Sequence, residues 1–375
     1  MLAVSLAILV LIPATLAAGY YFFLTTLGWW PRRRDKSQGA KHSFAILIPA
    51  HNEEQSISAT IGSIYRSDYP SDRIRVFVVA DNCTDRTAAI ARAAGTECLE
   101  RSDFHNRGKG YALAFGIPEA LKTRANVVLI LDADCELEPD TLKVLDASLA
   151  TGSQVVQAAV VTRNPDDGPT GQVTALGLTI DNAVDAGLAK LGRTTQLRGS
   201  GMALTRDVLE RLPWTDYGLT EDAEYTARLT SAGICIVFAG DAIVRSEAPA
   251  GMIAFRIQRR RWRAALRIET RSFLARWLSS KPLVLAQLGL TYLVVGVLVN
   301  WMSFEMASLV LTWCGLLTVL TSVVYFRAIG RTDVAIGGLA GIVRIAGVVG
   351  RLGWMTLGVI FERGRTWQRT PRTAG

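Results

Sequence analysis

Val127-Val-Leu-Ile-Leu131 runs directly into Asp132-Ala-Asp-Cys-Glu136 before Pro139 turns the chain away. An apolar run this short, β-branched at its start and followed by polar turn residues, reads as a strand covered on both faces, as in a parallel sheet. Ligands gather at the carboxyl ends of such strands. Asp132 and Asp134, one residue apart, can both reach a hard divalent cation if the backbone turns between them. Mg2+ or Mn2+ needs few protein ligands when phosphate oxygens supply the others. An isolated Asp-x-Asp is more often a solvated turn, so the flanking sequence has to decide.

Upstream, the same scheme occurs twice more. Phe44 to Ile48 reads as a buried strand, closed by Pro49-Ala-His-Asn-Glu-Glu54 and followed by Ile57, Ile61 and Ile64 at helical spacing. Arg75 to Val79 reads as a second strand, ending in Ala80-Asp-Asn-Cys-Thr-Asp85 and an alanine-rich helix to about Ala94, with Thr84 or Asn82 as its cap. A polar insert, Asp103 to Gly110, then leads into a helix over 111–122 and the aspartate strand. Three strand-helix units in succession predict an α/β fold with a parallel sheet, right-handed crossovers and helices on both faces.

Beyond Asp134 the pattern changes. Val155 to Thr162 reads as a strand and Thr174 to Leu191 as a long helix. Arg198-Gly-Ser-Gly-Met202 is a glycine-rich loop, of the kind that lets backbone approach a ligand. Thr220-Glu-Asp222 opens a helix, and Ile234 to Ala239 gives a further strand. Thr220 to Asp222 taken alone would be a helix cap with acidic first-turn residues. Ser200 lacks the setting of a nucleophile elbow, which argues against hydrolase chemistry.

The apolar residues, half of the 375-residue chain, pool toward its ends. Residues 1–30 hold no charge, and a bilayer span needs roughly 20 apolar residues. Trp29 and Trp30 suit an interfacial anchor, and Pro31-Arg-Arg-Arg34 follows at once, which places the start outside and the next segment in the cytoplasm. Ile253 to Leu278 interleaves arginines with Ile257, Trp262, Leu266 and Phe273, a basic amphipathic pattern suited to a membrane surface. Leu283 to Met302 and Met306 to Phe326 read as a transmembrane hairpin returning to Arg327 inside, and Ala335 to Phe361, interrupted by Arg344 and Arg351, as a partly interfacial segment. The expected organisation is therefore a span at 1–30, a catalytic domain at 42–250, interfacial helices at 251–281, a hairpin at 283–326 and a membrane-associated basic tail at 335–375. The net charge of +8 clusters beside apolar segments, so anionic lipid rather than nucleic acid is the expected partner. Five cysteines without zinc or redox spacing are expected as reduced thiols.

In this order, the acidic strand ends, the Gly-Ser-Gly loop, Thr220-Glu-Asp222 and Gln258-Arg-Arg-Arg-Trp262 resemble the family-two, inverting, membrane-bound glycosyltransferases, the group of the cellulose, chitin, hyaluronan and exopolysaccharide transferases. The resemblance covers about residues 44–276 and implies the glycosyltransferase-A fold with flanking transmembrane helices. It also implies that Pro49, Asn52 and Glu53 frame the nucleotide, that Asp81 holds a uracil ring, and that Arg107 or Lys109 approaches the nucleotide. Asp132 and Asp134 would take the metal, Mg2+ or Mn2+. Asp222 would be the catalytic base with Glu221 beside it, while Gly199, Ser200, Gln258, Arg261 and Trp262 would form the acceptor and diphosphate platform. Many relatives carry two aspartates where this chain has Ala80-Asp81.

The function this implies is a hexosyl transfer from a UDP-sugar to a hydroxyl of a polyprenyl-linked or other glycan acceptor, at the cytoplasmic face of a bacterial-type inner membrane. A processive synthase and a catalytically silent nucleotide-sugar-binding subunit are the alternatives.

Overall fold

The computed structural model describes residues 2–30, 39–249 and 295–332, with short pieces at 251, 253–255, 258, 291, 343 and 347. Arg261, Trp262, most of the arginine-rich segment, most of Leu283–Met302 and nearly all of the segment from Ala335 to the tail lie outside the described residues.

Strand β1 (Phe44–Ala50) explains the layering. Successive side chains of a strand point to opposite faces. Phe44, Ile46 and Ile48 enter one core, with Ile57, Ile61 and Ile64 of α2 (Ile57–Tyr65) and Leu142, Leu145 and Leu149 of α5 (Thr141–Ala150). Ala45 and Leu47 enter the other, with Leu113 and Ile117 of α4 (Lys109–Leu121), Val208 of α7 (Arg206–Arg211) and Tyr225 of α8 (Glu221–Ser231). Helices on both faces are as expected.

The sheet is not wholly parallel. Its order is β3-β2-β1-β4-β7-β6-β8-β5, from β2 (Ile74–Asp81), β3 (Glu97–Arg101), β4 (Val127–Ile130), β5 (Cys135–Leu137), β6 (Val155–Thr162), β7 (Met202–Thr205) and β8 (Ile236–Ser246). β3, β2, β1 and β4 are parallel, but β7 pairs antiparallel with both β4 and β6, and β5 antiparallel with β8. Three short strands escaped the sequence reading: β3 is half-exposed and charged, β5 has three residues, and β7 is the continuation of a glycine loop. β8 also runs beyond Ala239, through a bulge opposite Ala158 and Ala159. The start of α3 (Thr87–Ala93) is a further correction: Arg86, not Thr84 or Asn82, holds the cap position, and Asp85 Oδ1 accepts the Thr87 N–H at 2.9 Å. The chain steps from β1 out to β2 and β3, then returns to β4 on the other flank of β1, so β1 and β4 border the switch point where α/β sheets open a crevice.

A third apolar cluster lies outside the sheet. Ala7, Leu11, Ala14 and Leu24 of α1 (Leu2–Trp29) pack with Leu176, Ile180 and Val184 of α6 (Pro169–Lys190) and with Val310, Cys314 and Leu317 of α9 (Phe304–Ile329). Among the described residues, α1 and α9 are the two helices long and apolar enough to cross a membrane. Trp313 Nε1 donates to Thr15 Oγ1 at 2.9 Å, Arg327 Nη1 to Thr26 Oγ1 at 3.1 Å, and the Arg331 guanidinium lies 5.0 Å over the Trp29 ring. These contacts advance together along both helices, so α1 and α9 run parallel, with their carboxyl ends on one side.

The α1–α6 crossing depends on small residues. A Cβ on Gly28 would collide with the Ala183 carbonyl, and one on Gly187 with that of Leu24. Gly28→Val should therefore destabilise the crossing by about 1–3 kcal/mol. Gly19→Val, at a position with nothing within 4 Å among the described residues, is the control. Thermal unfolding in detergent should separate the two variants, and equal midpoints would contradict this packing.

Candidate functional site

The carboxyl ends of β1, β2 and β4 carry the turns that the sequence singled out. Asn52 (φ 56) and Asn82 (φ 51) adopt the left-handed conformation, which non-glycine residues other than Asn and Asp seldom visit. The side chain of each repays this locally. Asn52 Oδ1 accepts the Thr84 N–H at 2.8 Å, and Asn82 Oδ1 accepts that of Asp103 at 2.8 Å. The turns after β1, β2 and β3 are thereby stitched into one rim. Pro49, one residue before the end of β1, lies opposite Val79, and Glu53 donates its N–H to Thr87 Oγ1 at 2.7 Å while its Oε2 accepts from Ser56 at 2.8 Å. Asp81 is buried, held by Arg101 Nη1 at 2.6 Å and Asn82 Nδ2 at 3.0 Å. Arg101 also lies 5.6 Å over the Tyr111 ring, which stacks on Tyr217 at 4.4 Å.

Lys109 is the centre of the cluster. Its Nζ lies 2.5 Å from Asp132 Oδ1 and 3.5 Å from Glu221 Oε1, and it donates to the Gly199 carbonyl at 2.6 Å. One ammonium therefore joins the aspartate strand, the glycine loop and the Thr220-Glu-Asp222 turn. Burial alone would lower its pKa, but Asp132 and Glu221 outweigh that and keep it charged. Arg107, the other candidate, is exposed, with its Nε on the Phe104 carbonyl and its guanidinium over the Phe104 ring. The helix start explains the difference: Lys109 opens α4, where Gly110 lies so close to the Asp216 carbonyl that a Cβ would collide with it.

Gly199 (φ +80) and Gly201 (φ +71) need glycine's conformational freedom, and the loop is closely surrounded. A Cβ on Gly199 would stand 3.2 Å from Lys109 Nζ and 3.4 Å from Asp222 Oδ2. Ser200 Oγ accepts the Asp132 N–H at 3.1 Å. The buried Gln157, unrecognised in the sequence, holds the loop from β6: its Nε2 donates to the Ser200 carbonyl at 2.8 Å and its Oε1 accepts the Arg198 N–H at 3.0 Å. A polar side chain within Val155-Val-Gln-Ala-Ala-Val160 was the available signal.

Glu221 and Asp222 are neighbours with different environments. Glu221 is 7% exposed, and burial pushes its pKa up to about 7 against the pull of Lys109. Asp222 is less buried and sits beside Gly199. Thr220 occupies the cap position of α8 without a side-chain capping bond, and its buried Oγ1 has no hydrogen-bond partner among the described residues. Asp222 Oδ1 accepts the Ala223 N–H at 2.9 Å, so Asp222 rather than Thr220 meets a first-turn amide.

Asp132, Asp134 and Cys135 offer ligand atoms within 4.8 Å of one another. Burial, with the two aspartates, raises the Cys135 thiol well above its ordinary pKa, so it stays protonated and soft. The donor set suits a hard cation through the two carboxylates alone. Gln258 is half-buried, and its Oε1 has no hydrogen-bond partner among the described residues.

The chain is 29% identical over 253 residues to the probable glycosyltransferase YdaM of Bacillus subtilis, covering 63% of this chain and 58% of that one. It is 28% identical over 242 residues to a beta-monoglucosyldiacylglycerol synthase of Nostoc, covering 62% and 51%. The chain thus spans little more than half the length of these relatives. Among solved structures, the mannosyltransferase PcManGT from Pyrobaculum calidifontis, in complex with GDP-Man and Mn2+, shares the fold with a TM-score of 0.62 at 20% identity over 87% of this chain and 97% of that one. The α/β core with its mixed sheet is the glycosyltransferase-A fold. Residues 42–265 match the family described as "Glycosyltransferase like family 2", and the chain belongs to that family.

Proposed function

We propose that the chain transfers a sugar from a nucleoside diphosphate sugar, a UDP-sugar first among candidates, to a hydroxyl of a membrane-lipid-linked acceptor, with inversion at the sugar. The observation that carries this reading is the convergence on Lys109 of Asp132, the Gly199 carbonyl and Glu221, with Asp222 beside Gly199. Asp132 and Asp134 would hold Mg2+ or Mn2+, which when bound neutralises the departing diphosphate. Asp222 accepts the acceptor's hydroxyl proton as that oxygen bonds to the anomeric carbon and the nucleoside diphosphate leaves. Glu221, buried against Lys109, keeps the ammonium in place. Asp81, fixed by Arg101 and Asn82, presents a carboxylate to a base N–H. Uracil and guanine both offer one, and PcManGT was solved with GDP-Man, so the donor panel includes UDP- and GDP-sugars.

The lipid-linked acceptor, a polyprenyl-linked glycan being the first candidate, is supported by two helices apolar enough to cross a membrane, of which α1 seats its carboxyl end against α6. A relative named for making a glucosyldiacylglycerol also supports it. We place the catalytic domain on the cytoplasmic side of a bacterial-type plasma membrane. Incubating the detergent-solubilised protein with the donor panel, Mn2+ and lipid-linked acceptors, then weighing the products, tests the function. Release of nucleoside diphosphate with no glycosylated lipid would sink the acceptor assignment, and no release with any donor would sink the transferase reading.

The parallel course of α1 and α9 bears on topology, because two parallel spans must begin on the same side. A cysteine replacing Ser303 should therefore react with an impermeant maleimide applied from outside, and one at Gly39 should not. Labelling at Gly39 from outside would invert the orientation.

A further inference from the structure

Asp185 lies in α6, 5% exposed, where a carboxylate must be paired to be tolerated. Burial raises its pKa, opposed by Arg198. The Arg198 guanidinium donates to Asp185 Oδ2, and its Nη1 lies 3.5 Å from Asp181 Oδ2. Arg198 is the residue before Gly199, and its own N–H is fixed by Gln157 Oε1 at 3.0 Å. The next carbonyl, that of Gly199, receives Lys109 Nζ at 2.6 Å. The chemistry proposed above makes no use of Asp185, which among the described residues reaches the site through this chain of contacts.

On its other side α6 is fixed to α1. Gly28 lies against Ala183 and Gly187 against Leu24 with no room for a Cβ, and Lys190 Nζ donates to the Leu27 carbonyl at 2.8 Å and to that of Trp30. One helix therefore grips the apolar helix α1 and, through a buried ion pair, the root of the glycine loop. The loop needs such an anchor. Gly199 and Gly201 both have left-handed backbone, and glycine loses more conformational freedom on ordering than any other residue.

Resting on the reading of Asp222 as the base, we propose that Asp185 is a positioning residue: through Arg198 it sets the Gly199–Gly201 loop against Lys109 and Asp222, and so ties the geometry of transfer to the seating of α1. A structural role alone, in which Asp185 and Arg198 merely neutralise each other, makes a different forecast, because deleting both charges would then restore everything.

The test uses the full chain in detergent. Asp185→Asn should lower kcat by about 10- to 100-fold, since a misplacement near 1 Å costs up to about that much, with the donor KM within about threefold. Hydrogen exchange should quicken at the Arg198 and Gly201 amides, whose partners are Gln157 Oε1 and the Ile130 carbonyl, with the amides of α8 unchanged. The double variant Asp185→Asn/Arg198→Met should regain the parental Tm but stay slow, and it carries the test if the single variant does not fold. A kcat within threefold of the parent in Asp185→Asn, or parental kcat in the double variant, would overturn the proposal. Exchange needs no turnover: unchanged protection at Arg198 and Gly201 in the variants would overturn the proposal even if the parent transferred no sugar, a result that would itself count against the transferase reading.

Discussion

Asp222→Asn is expected to lower sugar transfer by about 10²- to 10⁴-fold, the usual worth of a general base, while donor and metal binding stay close to parental. The substitution removes the proton-accepting lone pair and almost nothing of the shape. Two carboxylates compete for the role, and the structure separates them by access. Glu221 has a pKa lifted toward neutrality, which suits a base, but its carboxylate is turned to Lys109 and it is the more buried of the two. Asp222 is the more accessible and faces the glycine loop. A base must touch the proton it takes, so geometry outranks pKa here. Asn caps a helix about as well as Asp, so a helix-capping role forecasts survival of activity. Transfer within threefold of the parent, at saturating donor and acceptor, would remove Asp222 from the role and leave Glu221 as the next candidate.

What the sequence disclosed follows from which physical signals are local. The parallel half was legible because β1, β2 and β4 are short apolar runs ending in polar turns, and burial on both faces demands such runs. Asp132, Lys109, Gly199 and Glu221 were each named from the chain, yet 112 residues separate Lys109 from Glu221, and no spacing rule states that one ammonium joins them. Which of Arg107 and Lys109 enters the cluster was open in the sequence and is decided by where α4 begins. The antiparallel strands were hidden for another reason. β5 and β7 are three and four residues long, too short for a period to register, and they exist because neighbouring strands supply their partners. Gln157 shows a third limit: its side chain holds backbone groups of a loop more than 40 residues away, and although a polar residue in an apolar strand signals a buried bond, it does not name the partner.

The grip of α6 on α1 was equally invisible. Thr174 to Leu191 was legible as a helix, but its apolar residues could have faced the sheet, solvent-shielding loops or another helix, and periodicity does not name the partner. Gly28 and Gly187, read from sequence, are ordinary helix-weakening residues. In the structure they are the points at which two backbones touch, the packing by small residues that membrane helices favour.

Asp134→Ala should abolish Mn2+- or Mg2+-dependent transfer while the fold persists. Metal neutralisation of a leaving diphosphate is worth several kcal/mol, and at about 1.4 kcal/mol per decade losing even about 3 kcal/mol costs on the order of 100-fold. Asp134 is the better of the two aspartates for this test, because Asp132 is bound to Lys109 at 2.5 Å and donates its own N–H to Ser200 Oγ. Replacing Asp132 would release an ammonium and disturb the loop as well as the cation, so its effect would not be specific. Cys135 supplies the control. Its thiol is in the same cluster, but burial keeps it protonated, so Cys135→Ser should leave metal affinity close to parental. Titrating Mn2+ into each variant, by calorimetry in the presence of nucleoside diphosphate and by rate, reads binding and turnover separately. If Asp134→Ala kept parental Mn2+ affinity and rate, the carboxylate pair would be a polar turn and nothing more. If Cys135→Ser lost the metal, the ligand set would have to be redrawn around sulfur, and the hard-cation argument with it.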